Sequence, residues 1–231
     1  MHHPAPDATQ RKLLDAIGPH VAFDGWSEEA FRAACEESGI APDEARLHCP
    51  RGAIDLAILF HREGDQRMIE MLDTADLSDM RFRDKVGHAI RLRLQASGDK
   101  EAVRRGTTLF ALPHMAPEGS ALIWGTADAI WTALGDTSDD ANWYTKRATL
   151  SAVYGAVVLY WLGDTTPDHS ATDAFIDRRI EDVMRFEKFK SAVNDNPLLK
   201  PFTVPLGKLA GQIKAPGRSR PEDVPGRWTR P

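Results

Sequence analysis

The stretch DANWYTKRATLSAVYGAVVLYWL, residues 140–162, is mostly apolar, and its large side chains recur at spacings of three and four. Trp143, Leu150, Tyr154, Val157 and Trp161 fall on one face of a helix, and Ala148, Ala152, Gly155, Leu159 and Leu162 on another. A helix apolar nearly all round is expected at the centre of a bundle. Its most apolar part, Ala148 to Leu162, is 15 residues long, contains Thr149 and Ser151, and is closed by Arg147 and Asp164. That falls short of the roughly 18 residues a membrane-spanning helix needs.

The same spacing extends outward in both directions, and β-branched runs are scarce, so the chain reads as all-α with about nine or ten helices. Leu13, Leu14 and Ile17 mark a first helix that should end near Gly18-Pro19. Ser27 is a plausible N-cap for a second helix and Gly39 its stop, and a short third begins at Pro42. A fourth runs from Arg51 to about Leu72. In the fifth, Asp79 to Ala96, a stripe of Phe82, Val86, Ile90 and Leu94 outweighs the strand-like alternation at 90–94. Further helices are expected over Lys100–Leu112, Ser120–Leu134 and Ala171–Lys190.

At 231 residues with 42% hydrophobic and 27% charged side chains, the chain can bury a core without staples. Cys35 and Cys49, with no CxxC, exclude a disulfide framework and a metal knuckle. The net charge of -5 conceals a division: from Arg185 onward ten Lys/Arg face four Asp/Glu, a net of +6, which leaves -11 upstream. Met1 to Gln10 shows neither a signal peptide nor a presequence, and the expected location is cytoplasmic, peripheral on the inner face of the cytoplasmic membrane.

Three short helices in the first 50 residues resemble the helix-turn-helix of tetracycline-repressor-type regulators. A ligand-responsive transcriptional regulator is therefore the alternative function to weigh. Its chemistry is unfavourable, because DNA binding needs Lys and Arg against phosphate, whereas Met1 to Phe60 carries five basic and ten acidic residues. The would-be recognition helix opens on Asp43 and Glu44. A helix-turn-helix scaffold without its DNA surface is expected, and no nucleic acid partner.

No histidine follows a Glu by three residues, and HExxH, GxSxG, P-loop and GxGxxG patterns are missing, so neither enzyme chemistry nor a cofactor is expected. Carboxylates cluster at Asp136, Asp139 and Asp140, with Asp164 and Asp168 in the next loop. Capping turns are the favoured explanation over a metal site, for which Asp136, Asp140 and Asp164 would be the enzyme-like alternative.

The run GDTSDDANWYTKRATLSAVY, residues 135–154, places Trp143 and Tyr144 in the first turn of the long helix, ringed by Asp, Asn and Arg. A core plug and a partner-binding anchor fit equally well. With YWLGD at 160–164 and FIDRRIEDVMRFE at 175–187, the run closely resembles the signature of the coenzyme Q factor nine family, accessory proteins of ubiquinone biosynthesis, in its bacterial branch. The resemblance covers roughly Leu13 to Ile213. It implies a tetracycline-repressor-like homodimer that binds isoprenoid quinone intermediates and phospholipid in an apolar cavity and presents the quinone intermediate to the di-iron demethoxyubiquinone hydroxylase. It also implies a partner-binding patch of Asp136, Asn142, Trp143, Tyr144 and Arg147. Apolar density on adjacent helices makes Trp124, Ile130, Trp131, Tyr154, Val158, Trp161 and Leu162 the candidate lipid-binding residues.

On a helical projection Leu198, Leu199, Phe202, Leu206, Leu209 and Ile213 share one arc of about 100°. Lys200, Lys208 and Lys214 lie off that arc. This is the pattern of an interfacial membrane-binding helix, with Lys208 able to reach lipid phosphates; packing on the protein's own core is the other reading. The expected organisation is a trihelix over 1–50, a helical lipid-binding and dimerisation region over 51–190, an amphipathic membrane-binding segment over 191–214 and a disordered basic tail over 215–231.

Overall fold

The computed structural model describes residues 5–195 and 214–215, with backbone alone from 186 to 195. The described residues form nine α-helices and a 3-10 turn, with no strand among them: α1 (Ala8–Asp24), α2 (Glu28–Ser38), α3 (Pro42–His48), α4 (Ala53–Thr74), α5 (Phe82–Ala96), α6 (Lys100–Phe110), α7 (Ala116–Ala133), α8 (Ala141–Gly163), the turn Pro167–His169, and α9 (Ser170–Asp195).

Local chemistry sets several of these ends. Asp7 caps α1 by accepting from the Gln10 amide while the Gln10 side chain returns to the Asp7 amide, a reciprocal capping box. The Ser27 hydroxyl accepts from the Ala30 amide, and Gly39, at φ +67°, closes α2 with the left-handed residue that a Cβ would disfavour. One expected end is absent, because α1 continues through Gly18-Pro19 for another turn. Pro19 and Asp15, whose carbonyl the proline leaves without its helical donor, both lie on the exposed side, where water can satisfy that carbonyl. Leu13, Ile17 and Val21 are fully buried on the opposite side and hold the helix in one piece.

Two apolar cores follow one another along α4. The first joins α1, α2 and α3 to the start of α4 through Leu13, Ile17, Val21, Phe31, Ala34 and Leu56, and Trp26 ties it to α6 by an indole N–H bond to the Ala102 carbonyl at 3.1 Å. The second gathers Met68 and Leu72 of α4 with Ile90, Ile130, Leu150, Val157 and Ile176 from the later helices. Fully burying side chains of this size contributes roughly 1.5–3 kcal/mol each.

The α8 helix does not occupy the centre. Its Arg147, Leu150, Tyr154, Val157, Trp161 and Leu162 are buried against neighbouring helices, but Tyr144, Ala148, Ala152, Leu159 and Tyr160 face outward, Leu159 at 63% exposure. The all-round apolarity therefore splits into a core face and an uncovered face. Among the described residues no helix is long and apolar enough to cross a membrane.

Candidate functional site

Gly135, at φ +79°, turns the chain out of α7, and the residues that follow are folded into the start of α8. Asp140 caps α8 by accepting from the Asn142 amide at 2.9 Å and also takes the Asn142 side-chain amide at 3.0 Å. The next turn brings Arg147 back under it. Its Nε donates to Asp128 at 2.6 Å, and its Nη1 to Asp136 at 3.0 Å and to the Trp143 carbonyl at 3.2 Å. The Lys146 ammonium donates to Asp136 at 2.8 Å and to the Ser138 hydroxyl at 2.7 Å. Burial pushes the Asp136 carboxyl up, but the hydrogen bonds from Lys146, Arg147 and Ser138 outweigh it and bring it down to about 2.

This ionic platform carries the aromatic pair. The Arg147 guanidinium lies 4.1 Å from the centre of the Trp143 ring, whose edge-on partner Tyr144 is 4.8 Å away and whose other neighbour is Trp124 at 6.0 Å. Trp131 donates its indole N–H to the Lys146 carbonyl at 3.1 Å and stacks on the half-exposed Phe82. The Arg147 and Asp136 side chains are only 2% and 3% exposed, whereas Tyr144 is 36% exposed and Trp143 half-buried. Of the five patch residues named from sequence, Asn142, Trp143 and Tyr144 thus reach the surface. Asp136 and Arg147 brace them from below. Asp128, Lys146 and Phe82 complete the arrangement and are not among the expected patch residues; the signal for Lys146 is the basic pair 146–147 one residue after the two aromatics.

The clustered aspartates have different partners, and among Asp136, Asp140 and Asp164 only Asp140 caps the start of a helix. Asp164 accepts from the amides and hydroxyls of both Thr166 and Thr172, and these bonds hold its carboxyl well below the usual carboxylate range. Asp136 is saturated by cations and Asp140 by Asn142. Among the described residues no group of three His, Cys, Asp or Glu is placed to hold a metal ion.

The seven lipid candidates separate. Ile130, Tyr154, Trp161 and Leu162 belong to the second core, with Trp131 and Val158 half-buried against it, and Trp124 instead packs on Trp143. Two open clefts, of about 280 and 440 Å³, are present, and Trp161 alone of the seven lines either. Tyr154 borders a polar centre that the sequence reading did not pick out. Arg93, 3% exposed, donates to Asp65 at 2.6 Å, to Ser97 at 2.6 Å and to the His61 carbonyl at 3.0 Å, and lies 5.9 Å from the Tyr154 ring centre. The Thr126 hydroxyl donates to Asp65 at 2.8 Å and lies 2.9 Å from His61 Nε2. Burial pulls His61 down to about 4 and pushes the Tyr154 phenol up. Gly64 leaves room for all of this, since a Cβ there would stand 2.7 Å from Arg93 Nη1.

On the trihelix, Asp43, Glu44 and Leu47 of α3 are exposed, and Arg46 is held by both oxygens of Glu28 at 2.6 Å. The membrane candidates Leu198, Leu199, Phe202, Leu206, Lys208, Leu209 and Ile213 lie outside the described residues, as does the tail beyond Ala215.

Fold and site together define a tetracycline-repressor-like helical protein whose trihelix turns carboxylates outward and whose later helices raise a braced aromatic pair. The fold is matched by the TetR transcriptional regulator from Nitrosomonas europaea, at a TM-score of 0.63 and 18% identity over 76% of this chain and 97% of that one. The model of the COQ9 family matches residues 116–187. The chain is 32% identical over 193 residues to the probable ubiquinone biosynthesis protein coq9, mitochondrial, of Dictyostelium discoideum. It is 27% identical over 186 residues to the human ubiquinone biosynthesis protein COQ9, mitochondrial. These matches cover 80% and 76% of the chain but 62% and 57% of the relatives' lengths. The similarity to the COQ9 family thus rests on the matched residues 116–187 and on these relatives.

Proposed function

We propose that this chain serves ubiquinone biosynthesis without catalysing a step itself: it binds isoprenoid quinone intermediates at a membrane surface and presents them to the di-iron demethoxyubiquinone hydroxylase. The observation that carries this reading is the pairing of the family match over 116–187 with what that stretch builds, a half-buried Trp143 beside an exposed Tyr144 on a buried ionic platform. Rigid aromatics over a desolvated arginine are the composition of a docking hot spot. The hydroxylase supplies the iron in this scheme. The chain contributes the lipid and the surface.

The isoprenoid tail has to part the later helices, and Trp131 and Val158, half-buried at the edge of the second core, mark the seam we assign to its entry. The outward face of α8, with Ala148, Ala152 and Leu159, is small and apolar and suits a second copy of the chain in a homodimer. The amphipathic segment and its lysines are assigned to the membrane. Transcriptional control is disfavoured by the exposed carboxylates of α3 and by Arg46 being engaged with Glu28.

Native mass spectrometry of the purified chain, followed by identification of the lipids it carries, tests the reading. An isoprenoid quinone or its precursor is expected. A chain that takes up no isoprenoid from loaded vesicles overturns it. Replacing Leu206 and Leu209 with Glu is expected to abolish sedimentation with anionic liposomes while leaving the helical circular dichroism of the body intact, and unchanged sedimentation removes the membrane assignment.

A further inference from the structure

Residues 214 and 215 meet the aromatic patch through their backbone. The Ala215 amide donates to the Asp139 carbonyl at 2.8 Å, and the Tyr144 hydroxyl donates to the Lys214 carbonyl at 3.3 Å. Asp139 immediately precedes the N-cap of α8, so its carbonyl lies outside the helical ladder and is available to an outside donor. Neither bond involves a tail side chain. The ledge takes up main-chain groups, the way an exposed backbone edge takes up a peptide.

The end of α9 lies on the same side of the molecule. The α8 and α9 helices are joined by six residues and pack against each other, which makes them antiparallel neighbours. At about 1.5 Å per residue the 26 residues of α9 span about 39 Å, against about 35 Å for the 23 of α8, so Asp195 returns to the end that carries Tyr144. Lys214 is held at that same end. The basic residues Arg218 and Arg220 follow in sequence, opposite in sign to the exposed Asp139 and Asp140.

We infer that residues 214–215 are a built-in occupant of the patch: a main-chain strap across the Asp139–Tyr144 ledge that a docking partner has to displace. The consequence for docking rests on the reading of Trp143–Tyr144 as a partner surface; the strap itself does not, and the test needs no partner. Backbone hydrogen exchange is followed in the full chain, in Tyr144→Phe and in a synthetic peptide of residues 210–220. The Ala215 amide is expected to exchange at least tenfold more slowly in the full chain than in the peptide, and several-fold faster in Tyr144→Phe than in the unaltered chain. Exchange at the peptide's rate in the full chain overturns the strap.

Hydroxyl-radical footprinting supplies the second measurement. A chain ending at Ile213, checked for an unchanged helical spectrum, is expected to be oxidised at least twofold faster at Tyr144 than the full chain, and the peptide of residues 210–231 added in trans is expected to restore the slower rate. Equal labelling with and without the tail overturns the masking. If the strap passes both measurements and the chain still fails to bind the hydroxylase, the partner assignment falls and the strap stands.

Discussion

Two arginines, Arg93 and Arg147, are built into this protein in nearly the same way. Each is almost wholly buried, each donates its Nε to an aspartate at 2.6 Å, and each lies beside an aromatic ring. Their surroundings differ. Around Arg93 the ring is Tyr154, 3% exposed, and the remaining donors go to Ser97 and the His61 carbonyl, so the cluster is largely enclosed between α4, α5, α7 and α8. Around Arg147 the ring is Trp143 at the surface, and Lys146, 38% exposed, shares Asp136. One cluster cements four helices. The other spends the same chemistry on holding two aromatics in place where something outside the chain can reach them.

The comparison can be broken by mutation, and the largest effect belongs to the enclosed site. Arg93→Met strands Asp65 in the interior and is expected to destabilise the fold by about 3–5 kcal/mol in urea denaturation. A loss below about 1 kcal/mol shows that the cluster is not enclosed.

Acid reaches the same site through His61. Its folded pKa, about 4, lies below its ordinary value of 6.5, so the unfolded chain takes up the proton first. Stability is therefore expected to fall by up to about 3 kcal/mol as pH drops from about 6.5 to 4. His61→Gln, which keeps a polar group for Thr126, is expected to flatten that slope, and an unchanged slope places the titration elsewhere. Below pH 4 the lowered carboxyls of Asp136 and Asp164 add their own losses, because each contributes stability above its ordinary pKa that disappears as it protonates.

At the open site Arg147→Met is expected to cost less, about 2 kcal/mol, because Asp136 keeps Lys146 and Ser138. The hydroxylase docking proposed for this patch should be lost with it, read by co-sedimentation. The smallest effect on stability is expected for Tyr144→Ala, within about 1 kcal/mol at this exposure. It should nevertheless weaken docking at least tenfold, and a variant that docks normally denies Tyr144 its place in the partner surface.

What was legible in the sequence follows the range of the interactions. Caps and periodicity act within a few residues, so Ser27, Gly39 and the Phe82–Leu94 stripe give helices close to those observed. Pro19 misleads because its cost depends on which side of α1 it faces, and that is fixed by packing on residues far along the chain. The two faces of α8 are equally apolar, so composition could not tell which one the chain covers. Asp136 and Arg147 stand out in the run 135–154, but their burial depends on Asp128 and the turn at Gly135, and braces look like contacts until the turn is closed. The Arg93 centre was harder still: His61, Asp65, Arg93 and Thr126 come from three helices, and each alone reads as an ordinary polar residue on an amphipathic surface.

Gly64 lies opposite the Arg93 guanidinium in the middle of α4, where helix propensity favours alanine over glycine by about 1 kcal/mol. Here that preference is reversed, since a single methyl group would stand where three guanidinium atoms already lie within 3.0 Å, and Arg93 could yield only by giving up Ser97, Asp65 or the His61 carbonyl. The smallest residue of the helix thus acts as a spacer: an absent side chain leaves the room that the Arg93 guanidinium occupies between α4 and α5.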